Sequence, residues 1–242
     1  MAFYTENVNN NKKMGLRDGF PVGLGYIAVS FAFGIVAKTS GLTIYEAFLI
    51  SLTNLTSAGQ LAAVPIITAG GSLIELAMTQ FVINSRYLLM SVSLSQKFDK
   101  NVRLRDRFLL AFANTDELFA VAIGKGQPLG RAYLYTLIIY PYIGWSLGTL
   151  LGAIAGSILP EVFLNALGIA LYAMFVAILV PASKQSRGTG LCIAVSALAS
   201  CAFYFLPKLK DIPSGFVIMI LSLCISLLFA LIAPIKEGED DV

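Results

Sequence analysis

The 242-residue chain contains no histidine. That absence removes His-ligated zinc sites, imidazole proton relays and Ser-His-Asp triads together. Charge is scarce too: Asp, Glu, Lys and Arg make up 13% of the residues, about half the share of an ordinary soluble domain. Tryptophan occurs once and cysteine three times. Cys192, Cys201 and Cys224 lie scattered among apolar residues without CxxC spacing, so no redox motif or thiolate metal site is encoded. They read as small buried apolar side chains. The basic excess is slight, 17 residues against 14 acidic ones. It offers no nucleic-acid-binding surface and is read as membrane topology.

What fills the chain is apolar. Hydrophobic residues make up 57% and the mean hydropathy is +0.79. Apolar segments fall near 19–37, 43–70, 72–95, 108–124, 131–158, 163–182, 189–206 and 212–234. Most are long enough to cross a hydrocarbon core of about 30 Å. The expected fold is an all-α polytopic protein of the cytoplasmic membrane. Residues 1–18 form a cytoplasmic tail ahead of an uncleaved first span, 19–234 a single transmembrane domain, and 235–242 an acidic tail.

Charge sets the expected topology. Lys12, Lys13 and Arg17 place the amino terminus inside, and Lys97, Lys100, Arg103, Arg105 and Arg107 place the following loop inside as well. An odd number of crossings must then separate residue 40 from residue 96, yet two apolar segments lie there. The expectation is that 43–70 enters and returns, leaving 72–95 to cross. Its centre, Thr53-Asn54-Leu55-Thr56-Ser57-Ala58-Gly59-Gln60, is too polar for lipid and fits a broken helix beside a cavity or protein. On the same parity 108–124 is one crossing, and 131–158 runs opposite to 19–37. A weak repeat, 19–124 and 131–234, pairs Gly41 with Gly156, Glu46 with Glu161 and Phe48 with Phe163. It suggests inverted halves, with 163–182 as a second re-entrant element.

Ionisable residues inside such segments need a reason to be there. Arg86 falls within 72–95, and Asp116 with Glu117 within 108–124, at matching depths on neighbouring spans. One acid is expected to pair with Arg86, leaving the other for a proton or an ammonium group. With Asn54, Ser57, Gly59, Gln60, Asn84 and Asn114, these residues could cradle a zwitterion: donors for its carboxylate, acceptors for its amine. A structural Arg–acid clamp between two helices is the competing reading. Glu75 and Glu161 read as interfacial, and Gly148, Gly152 and Gly156 as a close-packing stripe. Tyr133, Tyr135, Tyr140, Tyr142 and Trp145 read as an aromatic belt. No nucleophile–base pair or metal set is encoded, so no catalytic residue, cofactor or metal is expected.

Gly19-Phe20-Pro21, Gly25-Tyr26, Ala32-Phe33-Gly34, Gly41-Leu42, Ala58-Gly59-Gln60, Asn84-Ser85-Arg86 and Thr115-Asp116-Glu117 resemble, in order and spacing, the motifs of the AzlC family. The resemblance runs from about residue 15 to beyond residue 180. It implies the large subunit of an exporter of branched-chain amino acids (Leu, Val, Ile, with Met as a further substrate), acting with a small AzlD-type membrane partner. Two positions depart from the pattern: Tyr87 stands where the family often has His, and Leu61 where it often has Phe. Any proton step must then use carboxylates. Some members are labelled as ABC permeases, but no EAA-type coupling loop is present here. A non-transporting scaffold subunit is the alternative.

Overall fold

The computed structural model describes residues 11–125, 128–160, 162, 176, 179–180, 183–184, 187–206, 209, 212 and 214–232. Among these, nine helices form: α1 (Lys12–Thr39), α2 (Ile44–Thr53), α3 (Ala58–Thr68), α4 (Leu73–Ser95), α5 (Leu104–Phe112), α6 (Asp116–Ile123), α7 (Arg131–Ile158), α8 (Arg187–Phe205) and α9 (Ser214–Ile232). No strand forms among the described residues, and α1, α7, α8 and residues 215–232 are long and apolar enough to cross a membrane. The protein is an all-α polytopic membrane protein. The chain forms two compact units, residues 1–61 with 84–168, and residues 62–83 with 169–242.

The first unit is organised around α1 and α7, each 28 residues long. The Asn11 side chain caps α1 by accepting from the N–H groups of Lys13 and Met14, so residues 12–18 are already helical. The two helices pack along interleaved glycines. A Cβ on Gly15 would strike Tyr133, one on Gly23 would strike Tyr140, one on Gly34 would strike Thr149, and one on Gly156 would press on Lys38. Residue numbers rise together on both helices, so α1 and α7 run parallel. This corrects the expected opposite direction of 131–158. Backbone approach this close explains the glycine stripe.

Two further segments that reach into this unit are broken. A capping box starts α2, with Thr43 and Glu46 satisfying each other's backbone N–H groups. The helix stops at Asn54, whose backbone is extended (φ −149°, ψ 121°), and Ser57 adopts φ 42° before α3 begins. The expected break in 43–70 is therefore present at residues 54–57. The second break was not expected: 108–124 is two short helices meeting at residues 113–115, not one crossing. Its ends return to the same place. Leu129 N–H donates to Lys97 O (2.7 Å), Asp99 N–H donates to Leu129 O (2.9 Å), and the Lys97 ammonium caps the carbonyls of Ile123 (2.5 Å) and Lys125 (3.1 Å).

The two broken segments enter from opposite ends of the α1–α7 pair. Segment α2 descends from the carboxyl end of α1 until Leu52 O accepts from Tyr142 Oη. Segment α5 rises from the amino end of α7, where Tyr135 and Arg131 hold Asp106. The broken segments thus approach from opposite ends, while the two long helices run parallel. The expected second re-entrant element, 163–182, lies largely outside the described residues, as do Glu161 and the tail 235–242.

In the second unit α8 and α9 pack along a groove of about 290 Å³ lined by Cys192, Ser196, Ser200, Ser222 and Ser226. Glu75 is buried (5% exposed) and accepts from Gly215 N–H (3.2 Å) at the start of α9, so it is not a surface carboxylate. Cys201 and Cys224 are exposed and Cys192 is half-buried, contrary to the buried expectation.

Candidate functional site

Both breaks meet the middle of the long helices at one aromatic pair. Tyr26 of α1 packs edge-on against Trp145 of α7 (ring centroids 5.2 Å), and Leu55, from the first break, completes this buried cluster. Trp145 is 2% exposed and Tyr133 1%. Neither belongs to an aromatic belt. An indole N–H buried this deeply needs an acceptor, and Trp145 Nε1 donates to Gln60 Oε1 (2.9 Å). Gln60 Nε2 donates to Ser51 Oγ (2.9 Å), which shares a 2.7 Å hydrogen bond with Thr149 Oγ1. Gln60, Ser51 and Thr149 have no exposed surface. This chain ties α2 and the start of α3 to α7, and Gln60 serves it at both ends of its amide.

The second break is tied to the same pair from the other side. Tyr26 Oη lies 2.6 Å from Glu117 Oε2 and is also hydrogen-bonded to Thr115 Oγ1. A carboxylate can only accept, so the phenol proton serves Glu117. The Thr115 side chain caps α6 by accepting from Leu118 N–H. Asp116 and Glu117 occupy the first turn of α6, where the helix dipole favours negative charge. Their side chains diverge by about 100° around the helix, and each takes a different partner. Asp116 Oδ2 pairs with Arg86 Nη1 at 2.7 Å, the Asp116 side chain being 47% and the Arg86 side chain 49% exposed. The expected Arg86–acid pair is present, and the second acid is held by a tyrosine.

Of the five further expected residues, Asn54, Ser57, Gly59 and Asn114 lie at the breaks or beside them. Asn54 Oδ1 accepts from Thr56 N–H (3.1 Å) and shapes the first break, with Ser57 and Gly59 following it. Asn114, 7% exposed, donates from Nδ2 to Ser91 Oγ of α4 (3.0 Å). Its Oδ1, and the Thr56 and Ser146 hydroxyls, are buried and unpaired among the described residues. Such groups cost about 1–3 kcal/mol each until a donor or acceptor arrives. Asn84 lies half-buried one helical turn before Leu88 on α4. Tyr87 takes the Arg86 guanidinium on its ring (4.8 Å) and accepts from Arg86 Nη2 (3.1 Å). No cluster of His, Cys, Asp and Glu able to hold a metal forms among the described residues.

Sequence reasoning missed Tyr26, Trp145, Ser51 and Thr149. The break at 113–115 had a legible signal: Asn114-Thr115-Asp116-Glu117 is a helix-start pattern, with a capping threonine before two acids.

Comparison with known proteins gives concordant matches. A family model described as "AzlC protein" matches residues 21–159. An uncharacterized membrane protein of Archaeoglobus fulgidus is 34% identical over 202 residues, covering 83% of this chain and 87% of that protein. The inner membrane protein YgaZ of Escherichia coli is 29% identical over 203 residues, covering 80% and 82%. An uncharacterized membrane protein of Helicobacter pylori is 27% identical over 148 residues, covering 58% and 64%. No solved structure matches the chain.

Proposed function

The chain belongs to the AzlC family, and on that premise we propose that it is the large subunit of a secondary transporter exporting branched-chain and similar apolar amino acids. The observation that carries the proposal is the meeting of two broken helices, from opposite ends, at Tyr26 and Trp145 beside Arg86, Asp116 and Glu117. Broken helices put helix termini and free backbone groups at mid-depth, the plan by which transporters hold a polar ligand inside a membrane. Arg86 and the start of α3 suit a substrate carboxylate. Glu117 and the unpaired Asn114 Oδ1 suit an ammonium group, and Leu55, Val22 and Val29 beside the aromatic pair suit an aliphatic side chain.

Topology supports the reading. The α4 stretch from Arg86 to Leu94 runs from the level of Tyr26 to that of Tyr133, antiparallel to α1. If α4 crosses as one helix, the chain between α1 and α4 starts and ends on one side, which makes 43–70 re-entrant. With 108–124 also returning, the basic loop, Lys125, Arg131 and the start of α1 share a side, which the charge rule assigns to the cytoplasm.

A half-exposed ion pair at mid-depth is costly against lipid. It calls for a water-filled path or a small membrane subunit, and an AzlD-type partner would meet that need. The same exposure favours the alternative, a non-transporting subunit that uses Arg86 and Asp116 only for docking. Retention of labelled leucine in cells separates the two. A transporter lowers retention, and Glu117→Gln restores it while the subunit still assembles. A scaffold leaves retention unchanged by that substitution.

A further inference from the structure

A groove of about 270 Å³ runs between the last turns of α4 and the length of α5, with Asn114 of the second break among its lining residues. Its walls include Leu88, Val92 and Phe108, each more than half exposed. These residues lie in apolar segments of a membrane protein, so the groove opens sideways toward the bilayer. Its polar side chains are mostly engaged internally: Ser91 Oγ accepts from Asn114, and Ser95 Oγ donates to Val92 O. Asn114 Oδ1 is unpaired among the described residues, and an unpaired charge lies on the basic-loop side. Arg107 lines the groove there, stacks on the Phe98 ring (5.5 Å) and makes no salt bridge among the described residues. Lys100, Arg103 and Arg105 lie in the same stretch.

An apolar trough facing lipid, with an arginine lacking a carboxylate at its mouth, is complementary to a molecule with an acyl chain and an anionic head. We propose that this groove is a binding site for an anionic phospholipid, its phosphate on Arg107 and one acyl chain along Leu88, Val92 and Phe108. The guanidinium offers paired N–H donors suited to phosphate oxygens, and the neighbouring cations raise the local concentration of anionic headgroups. A free anion would have no use for the apolar walls, and a zwitterionic lipid would gain less from the arginine.

The test uses the full chain purified in detergent, with thermal unfolding followed by fluorescence of the single tryptophan and lipid adducts counted by native mass spectrometry. Phosphatidylglycerol should raise the melting midpoint more than phosphatidylcholine does, and should form a retained one-lipid adduct. Arg107→Gln should reduce the phosphatidylglycerol effect to the phosphatidylcholine level, whereas Lys100→Gln, outside the groove, should keep most of it. Ala111→Phe, which fills the trough, should lower adducts of both lipids. If Arg107→Gln folds poorly, Arg107→Lys keeps the charge and should retain part of the preference. Equal effects of the two lipids on the wild type would overturn the proposal. So would an unchanged preference in Arg107→Gln, or inorganic phosphate reproducing the stabilisation.

Discussion

Replacing Tyr26 by phenylalanine removes one oxygen and leaves the aromatic ring against Trp145. The lost atom is the donor to Glu117 at 2.6 Å and the partner of Thr115, the residue that caps α6. Hydrogen bonds to charged groups contribute about 1.5–3 kcal/mol. Glu117 is exposed and recovers part of the loss elsewhere, so the lower end, about 1.5 kcal/mol, is expected. For a chain of this size that corresponds to a melting shift of about 3–6 °C. The assay is thermal unfolding of the purified chain for Tyr26→Phe, Glu117→Ala and the pair, followed by fluorescence. The double variant should melt close to the worse single variant, because both remove the same interaction. Tyr26→Phe with Arg86→Ala should be additive, since Arg86 belongs to the other acid. Wild-type melting of Tyr26→Phe, or full additivity with Glu117→Ala, would refute the idea that this tyrosine holds the second break.

Four other outcomes follow. Gln60→Leu strands Trp145 Nε1 and breaks the chain to Ser51, costing about 1–3 kcal/mol for the orphaned indole alone, so folded yield should fall along with transport. Arg86→Ala and Asp116→Ala should each cost about 1 kcal/mol or less, because a half-exposed pair is worth less than a buried one, yet each should abolish export; melting and efflux measured together check this. Asp106 lies outside the apolar segments; burial raises its carboxyl, but the Tyr135 hydroxyl, the Arg103 N–H and Arg131 together hold it below the usual range. Its contribution is therefore present above the unfolded carboxylate pKa of about 3.9 and lost as pH falls through the lower folded value, and Asp106→Asn should flatten the acid limb of a melting-versus-pH curve. Single cysteines at positions 100 and 128, in a background lacking the three native ones, should be labelled from one face of the membrane, and those at 40 and 160 from the other.

Much of the fold was legible because hydropathy and polarity act locally. The polar run from Thr53 to Gln60 cannot continue a lipid-facing helix, and the capping box at Thr43 and Glu46 marks where α2 begins. The break at 113–115 was hidden inside a continuous apolar stretch, although Thr115 ahead of two acids carried a helix-start signal. That missed break reversed the reading of α7, since hydropathy has no direction and parity depends on every crossing. Lys125 and Arg131, two cations beside the basic loop, already pointed to a common side. Trp145 could not be separated from its neighbouring tyrosines by pattern. Its role comes from the approach of Gln60, a contact across 85 positions of chain.

The account's central claim is that the breaks meeting at Tyr26 and Trp145 bind and move an amino acid. Counterflow in proteoliposomes tests it most directly, with the purified chain alone and with its small membrane subunit, preloaded with unlabelled leucine and supplied with labelled leucine, valine, isoleucine or methionine. The account predicts transient accumulation of the label in vesicles carrying the wild-type chain with its subunit, and none when Arg86 or Glu117 is replaced in protein that still melts cooperatively. Absence of counterflow for all four amino acids with folded wild-type complex, or undiminished counterflow in the Arg86 and Glu117 variants, would contradict it.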